Sequence, residues 1–136
     1  MLPEVQKVTR KEDWRDLDLN FGRHPATGDV SQLKGVNAIS RSVRNLILMH
    51  FYDKKFNPQV GSNATKMLFE PMGPLTAINL QNVIAETVYK FEPRCNLVDI
   101  TVEPDYDENG YKAQITFLPK NILTPVTIQL FLERLR

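Results

Sequence analysis

A single cysteine, Cys95, is all the chain offers for thiol chemistry, which excludes an intramolecular disulfide. No CxxC pair or Cys/His cluster surrounds it, so no metal site and no cofactor is expected. Histidine is nearly as scarce, with His24 in a polar stretch and His50 near a helix end as the two candidates for acid/base work. The sequence also lacks an HExxH pair, a nucleophile elbow and a phosphate-cradling glycine loop. An excess of one charge is missing too. Seventeen Lys and Arg against sixteen Asp and Glu leave a net charge of +1, with no basic stripe, so nucleic acid is not an expected partner. No stretch approaches the roughly 18 apolar residues of a membrane span. The segment Met1-Leu2-Pro3-Glu4-Val5 has no basic region leading into an apolar run. Neither membrane insertion nor signal-led export is expected, and a reducing compartment is the default.

What is present supports a packed core. The 136 residues fit one domain, and 42% hydrophobic with 24% charged residues is a globular balance. Residues 1–35 are polar and broken by Gly22, Pro25, Gly28 and Gly35, which predicts an extended N-terminal arm. One strand is expected in it over 14–21, where Leu17, Leu19 and Phe21 alternate with Asp16, Asp18 and Asn20.

Residues 36–136 are expected to form a single α+β domain. Val36, Ile39, Val43, Leu46 and Ile47 recur at helical spacing, predicting an amphipathic helix over 36–50. A loop follows at 53–61, then a short apolar stretch in which Leu68 and Phe69 are expected in the core. A second helix is expected over 76–91, with Thr76 as N-cap and Leu80, Val83, Ile84 and Val88 as its apolar stripe. Pro93 stops it, because proline donates no backbone hydrogen bond and disfavours helix in the residue before it.

Three strands should follow. Val98, Ile100 and Val102 alternate with polar residues, as do Tyr111, Ala113, Ile115 and Phe117, with a hairpin loop ending at Asn109-Gly110 between them. Val126, Ile128, Leu130 and Leu132 mark the third strand, last in the chain and expected at a sheet edge. The order predicts two main helices packed on a small antiparallel sheet.

Four segments stand in an ordered series: Gly35-Val36-Asn37-Ala38-Ile39, Phe56-Asn57-Pro58-Gln59-Val60-Gly61-Ser62, Leu68-Phe69-Glu70-Pro71 and Phe91-Glu92-Pro93-Arg94. Together they resemble the small lysozyme-like baseplate wedge family of contractile tails. That family includes wedge and sheath-initiator proteins of long-tailed phages and a baseplate component of type VI secretion. The resemblance covers about residues 29–102 well and the C-terminal strands more loosely.

Two readings of Glu92 and Arg94 stand side by side. One is a solvated ion pair at a helix end, contributing at most ~1 kcal/mol. In the other, Pro93 fixes the backbone so that Glu92, Pro93 and Arg94 form the wedge interface, the docking role that the resemblance implies. The last strand is likewise open to two readings. Glu133, Arg134 and Arg136 could protect its edge. Alternatively, as the resemblance implies, residues 124–132 add to the first sheath ring by strand exchange, with Val126, Ile128, Leu130 and Leu132 as the sheath interface.

The implied partners are other wedge proteins and the tail sheath, with the tail tube or hub as a further contact. The implied location is the tail baseplate of the virion, reached by assembly in the host cytoplasm. The family's lysozyme-like name raises peptidoglycan hydrolysis as an alternative, for which Glu70, Glu86, Glu92, Asp99 and Glu103 are available carboxylates. Sequence spacing singles out no pair among them, and a structural protein without enzyme activity is expected. A type VI secretion baseplate component is the other alternative.

Overall fold

A computed structural model describes residues 14–134. They fall in two compact units, residues 14–38 and 39–134. In the first unit, β1 (Arg15–Leu17) pairs antiparallel with β2 (Gln32–Lys34), with Asp16 opposite Leu33. The ladder continues through Asp18 N–H to the Ser31 carbonyl and Ser31 N–H to the Gly22 carbonyl. The strand expected over 14–21 stops at Leu17, because the Asp18 carboxylate accepts the Asn20 N–H at 3.0 Å and bends the chain. Residues 1–13 of the expected arm lie outside the described residues.

Helix α1 (Val36–Leu48) begins at the junction and contributes Ile39, Val43, Leu46 and Ile47 to the core of the second unit. It ends two residues earlier than the apolar period suggests. The Met49 carbonyl accepts the Ser62 N–H at 2.8 Å, and the His50 N–H donates to Asp53 Oδ2 at 2.9 Å, so the backbone there is committed to the following loop. A short helix absent from the sequence expectation, α2 (Ala64–Met67), opens where Ser62 Oγ accepts the Ala64 N–H. Leu68 is buried after it as expected, but Phe69 is 61% exposed, since the turn beyond α2 aims the two side chains apart.

Helix α3 (Pro74–Phe91) starts at its proline, which suits a first helical position where no backbone donor is needed. Thr76 is therefore inside the helix, not its N-cap, and its hydroxyl donates to the Pro71 carbonyl at 2.8 Å. Ala77, Leu80, Ile84 and Val88 are buried, and the helix stops at Phe91 before Pro93.

The sheet has the order β3 (Cys95–Asp105), β4 (Gly110–Pro119), β5 (Val126–Glu133), antiparallel throughout. Its register aligns Ile100 with Ile115 and Ile128, and Val102 with Ala113 and Leu130, on one apolar face. Helix α3 packs against β3, and each large aliphatic side chain so buried contributes about 1.5–3 kcal/mol. The opposite face is polar, with Thr101, Gln114 and Gln129 in one row. Val98 departs from the expected alternation. A bulge between Leu97 and Asp99 leaves it unpaired and 60% exposed. The β3–β4 turn is held by Asp105, whose Oδ1 accepts the N–H groups of Asp107 and Glu108 and whose other oxygen meets Lys112 Nζ.

Candidate interface

The end of α3 and the start of β3 meet at Glu92-Pro93-Arg94. Glu92 is only 2% exposed, so the pair is not the solvated one that sequence allowed. Arg94 Nε donates to Glu92 Oε1 at 2.7 Å and Nη2 donates to Oε2 at 3.0 Å, a two-bond fork across the proline. Burial alone would push the Glu92 carboxyl up. The hydrogen bonds from Arg94 and from Ser42 on α1, with the guanidinium charge, outweigh burial and hold it below the usual carboxylate range.

The triplet thus joins α1, α3 and β3, while Pro93 is exposed and Arg94 is partly so. Ser42 was not foreseeable from the local pattern, since it lies fifty residues earlier on the chain. Cys95 follows immediately and is buried, and its thiol is pushed up to about 11, first by burial and then by the Glu92 charge. It is a packing residue, poorly suited to react as a thiolate.

The second candidate is β5, which among the described residues pairs only with β4 and so forms one edge of the described sheet. Its register defines what that edge offers. Arg134 N–H donates to the Asn109 carbonyl at 3.0 Å, and these two residues sit directly opposite by extension of the Gly110–Glu133 pairing. In an antiparallel ladder, hydrogen-bonded and non-hydrogen-bonded pairs alternate. Leu132, Leu130, Ile128 and Val126 therefore turn their backbone groups toward β4, while those of Phe131, Gln129 and Thr127 point out of the sheet.

Two contacts agree with this alternation. Thr127 and Thr116 approach through their hydroxyls at 2.9 Å, as side chains of a non-hydrogen-bonded pair do. The outward Gln129 carbonyl accepts Arg44 Nη2 of α1 at 3.1 Å. The side chains of Leu130 and Leu132 are buried, and those of Val126 and Ile128 are half-buried on the same face. The apolar residues singled out by sequence hold the strand in place, and the free edge belongs to the residues between them.

Of the other carboxylates considered for acid/base work, Glu70, Glu86, Asp99 and Glu103 are all exposed. His50 Nδ1 lies 3.3 Å from Asp53 Oδ2, and the His24 ring nitrogen accepts the N–H groups of Ala26 and Thr27 at 3.3 Å. Among the described residues no group of three or more His, Cys, Asp or Glu could hold a metal ion. No described helix is long and apolar enough to cross a membrane.

Residues 15–118 match the family described as baseplate wedge protein gp25. The baseplate wedge protein gp25 of Enterobacteria phage T4 is 33% identical over 89 residues, which are 65% of this chain and 67% of that protein. A chain of the anti-feeding prophage baseplate superposes with a TM-score of 0.71 at 28% identity, covering 82% of this chain and 89% of that one. A candidate tail lysozyme from Geobacter sulfurreducens has a TM-score of 0.64 at 19% identity, over 71% of this chain and 89% of that one. A chain of the type VI secretion baseplate complex has a TM-score of 0.52 at 18% identity, over 71% and 92%. At such identities the last two establish a shared fold alone. On the match across most of its length, this chain belongs to the gp25 family of baseplate wedge proteins.

Proposed function

We propose that the chain is a structural wedge subunit of a contractile-tail baseplate, docking to other wedge proteins and offering β5 to the first ring of the tail sheath. The observation that carries the sheath role is the edge of β5, where the backbone groups of Thr127, Gln129 and Phe131 face away from β4. An incoming strand would pair with these groups and displace Arg44 from the Gln129 carbonyl. Docking to the wedge is assigned to the Glu92-Pro93-Arg94 junction, where an exposed proline and a partly exposed arginine are held rigid by the buried carboxylate. The subunit belongs, on this reading, in the virion's tail baseplate after assembly in the host cytoplasm, with the tail tube or hub nearby.

The same reading assigns it no catalysis. A glycosidase acid needs a carboxyl held above its ordinary range, whereas the buried Glu92 is held below it. Asp105 is also lowered, by its hydrogen bond from Lys112. Peptidoglycan clearing by the purified chain that is lost in Glu92→Gln would favour the lytic alternative. Flanking secretion genes in place of tail and sheath genes would favour the type VI one.

Gln129→Pro tests the sheath role. Proline removes an outward N–H that β4 does not use, and edge strands tolerate it. The variant is expected to fold and join the baseplate, yet seed sheath assembly at least about tenfold less well, since main-chain bonds supply the affinity of strand addition. Wild-type seeding by the folded variant would refute the edge role. For docking, a Glu92→Ala/Arg94→Ala variant should lose co-purification with the wedge proteins, and unchanged recovery of a folded double variant would remove that assignment.

A further inference from the structure

The loop between α1 and α2, residues 49–63, is built as a rigid display rather than a slack connection. Its ends are tied by Ser62 N–H to the Met49 carbonyl at 2.8 Å and its middle by Tyr52 N–H to the Pro58 carbonyl at 2.9 Å. Asn57 and Val60 N–H groups close further turns on the Lys54 and Asn57 carbonyls. Within this frame two aromatic residues adopt left-handed backbone, Tyr52 at φ 73° and Phe56 at φ 70°. Bulky side chains rarely occupy that region, and the strain persists only where the surroundings impose it. Burial does not compensate for it, because Tyr52 is 82% exposed and Phe56 fully so.

The chemistry around the two rings is cationic. Tyr52 lines an open cleft of about 730 Å³ with Pro58, Gln59, Lys66 and Lys90, while Lys54 and Lys55 lie between the rings in the chain. Two carboxylates belong to the same surface: Asp53, which is occupied by the His50 N–H and ring, and Glu86, in a small neighbouring cavity that Lys90 also lines. Lys54, Lys55 and Lys66 have no carboxylate within ion-pair distance among the described residues. Tyr52, Lys66 and Lys90 at the cleft, with Lys54, Lys55 and the exposed Phe56 carried by the same tied loop, are groups complementary to an acidic segment carrying an apolar anchor. A second copy meeting this one through the same face would bring like charge against like. The interspersed carboxylates and the absence of arginine in this loop disfavour a phosphate backbone.

We infer that residues 49–63, with Lys66 and Lys90, form a second docking surface that takes an acidic segment with an apolar side chain from another baseplate wedge protein. This rests on the wedge reading above and extends it to a surface outside both the Glu92-Pro93-Arg94 junction and the β5 edge.

A photoreactive benzoylphenylalanine at position 56, in the full chain assembled into particles, tests the inference. The expected product is an adduct with an acidic stretch of another tail protein, absent when the probe replaces Tyr106, which is 65% exposed at the β3–β4 turn. Adducts with a second copy, with nucleic acid, or none at all in particles that contain the chain would overturn the docking surface while leaving the wedge reading intact. Exclusion of wild-type chain from purified baseplates would instead overturn the wedge reading and this inference with it. Phe56→Ser/Lys66→Glu, unchanged in its urea midpoint, should reduce co-purification of the crosslinked protein about tenfold or more. Undiminished recovery by that folded variant would also count against it.

Discussion

Arg94→Ala is expected to lower the unfolding free energy by about 3 kcal/mol, because it leaves the Glu92 carboxylate buried without its countercharge. Glu92 would lose both bonds of the fork and keep the hydrogen bonds from Ser42 and from the backbone N–H of residue 94. The value falls at the lower end for broken buried pairs because Arg94 is 22% exposed and water can enter the vacated space. Glu92→Gln should cost less, about 1–2 kcal/mol, since the amide oxygen still accepts one bond from the guanidinium and the charge left without its partner, on Arg94, is 22% exposed. The double alanine variant should then cost less than the sum of the two single alanine variants, the sign of direct coupling. Urea unfolding at constant slope measures all of these, and additive costs would show that the fork is energetically idle.

The pH dependence has a definite sign. The folded Glu92 carboxyl titrates below its unfolded value of about 4.3. Between the two values the unfolded chain binds more protons, so stability rises with pH there. The contribution is fully present above about pH 5 and is lost as pH falls through the folded value. Without Arg94 the side-chain hydrogen bond and the guanidinium charge that oppose burial are gone, so the carboxyl should titrate higher than in the wild type. The gap between wild type and Arg94→Ala should therefore be widest near neutrality and narrow toward pH 4. An equal gap at both ends would refute the assignment to Glu92.

The parts of the fold that depend on one period were legible in the sequence. Leu80, Ile84 and Val88 gave α3, and Tyr111, Ala113, Ile115 and Phe117 gave β4, because a single buried face imposes its spacing on the chain. Pro93 set the helix end through local backbone chemistry alone. What could not be read locally depends on residues far apart in sequence. Glu92 is buried because Arg94 and the distant Ser42 satisfy it. Val98 is expelled by a bulge that only the pairing with β4 defines. The same holds for β5: its edge position follows from chain order, but the identity of its outward groups needs the register with β4. The 53–61 loop was legible from its Lys, Asn, Pro and Gly content, though its left-handed aromatic residues were not.

Gly61→Ala is the substitution expected to damage that loop most. Gly61 sits at φ 153°, where a side chain is strained whatever the available space, at a cost of order 1–3 kcal/mol. A Cβ here would also lie 2.7 Å from the carbonyl carbon and oxygen of His50 and 2.8 Å from the Phe51 nitrogen. Those are backbone atoms, so no rotamer change relieves the overlap, and the Ser62 to Met49 bond beside it must stretch or break. The combined loss is expected to be about 3 kcal/mol or more, a large share of a typical domain's stability. Gly35→Ala separates the two causes. Its φ of 56° is also left-handed, but among the described residues a Cβ there meets no atom within 4 Å beyond its chain neighbours, so the conformational cost of about 1 kcal/mol is the one expected. Equal urea midpoints for the two alanine variants would show that the contact with His50 is relieved at little cost. A much lower midpoint for Gly61→Ala would place the loop's rigidity, and with it the display of Tyr52 and Phe56, on the absence of one methyl group.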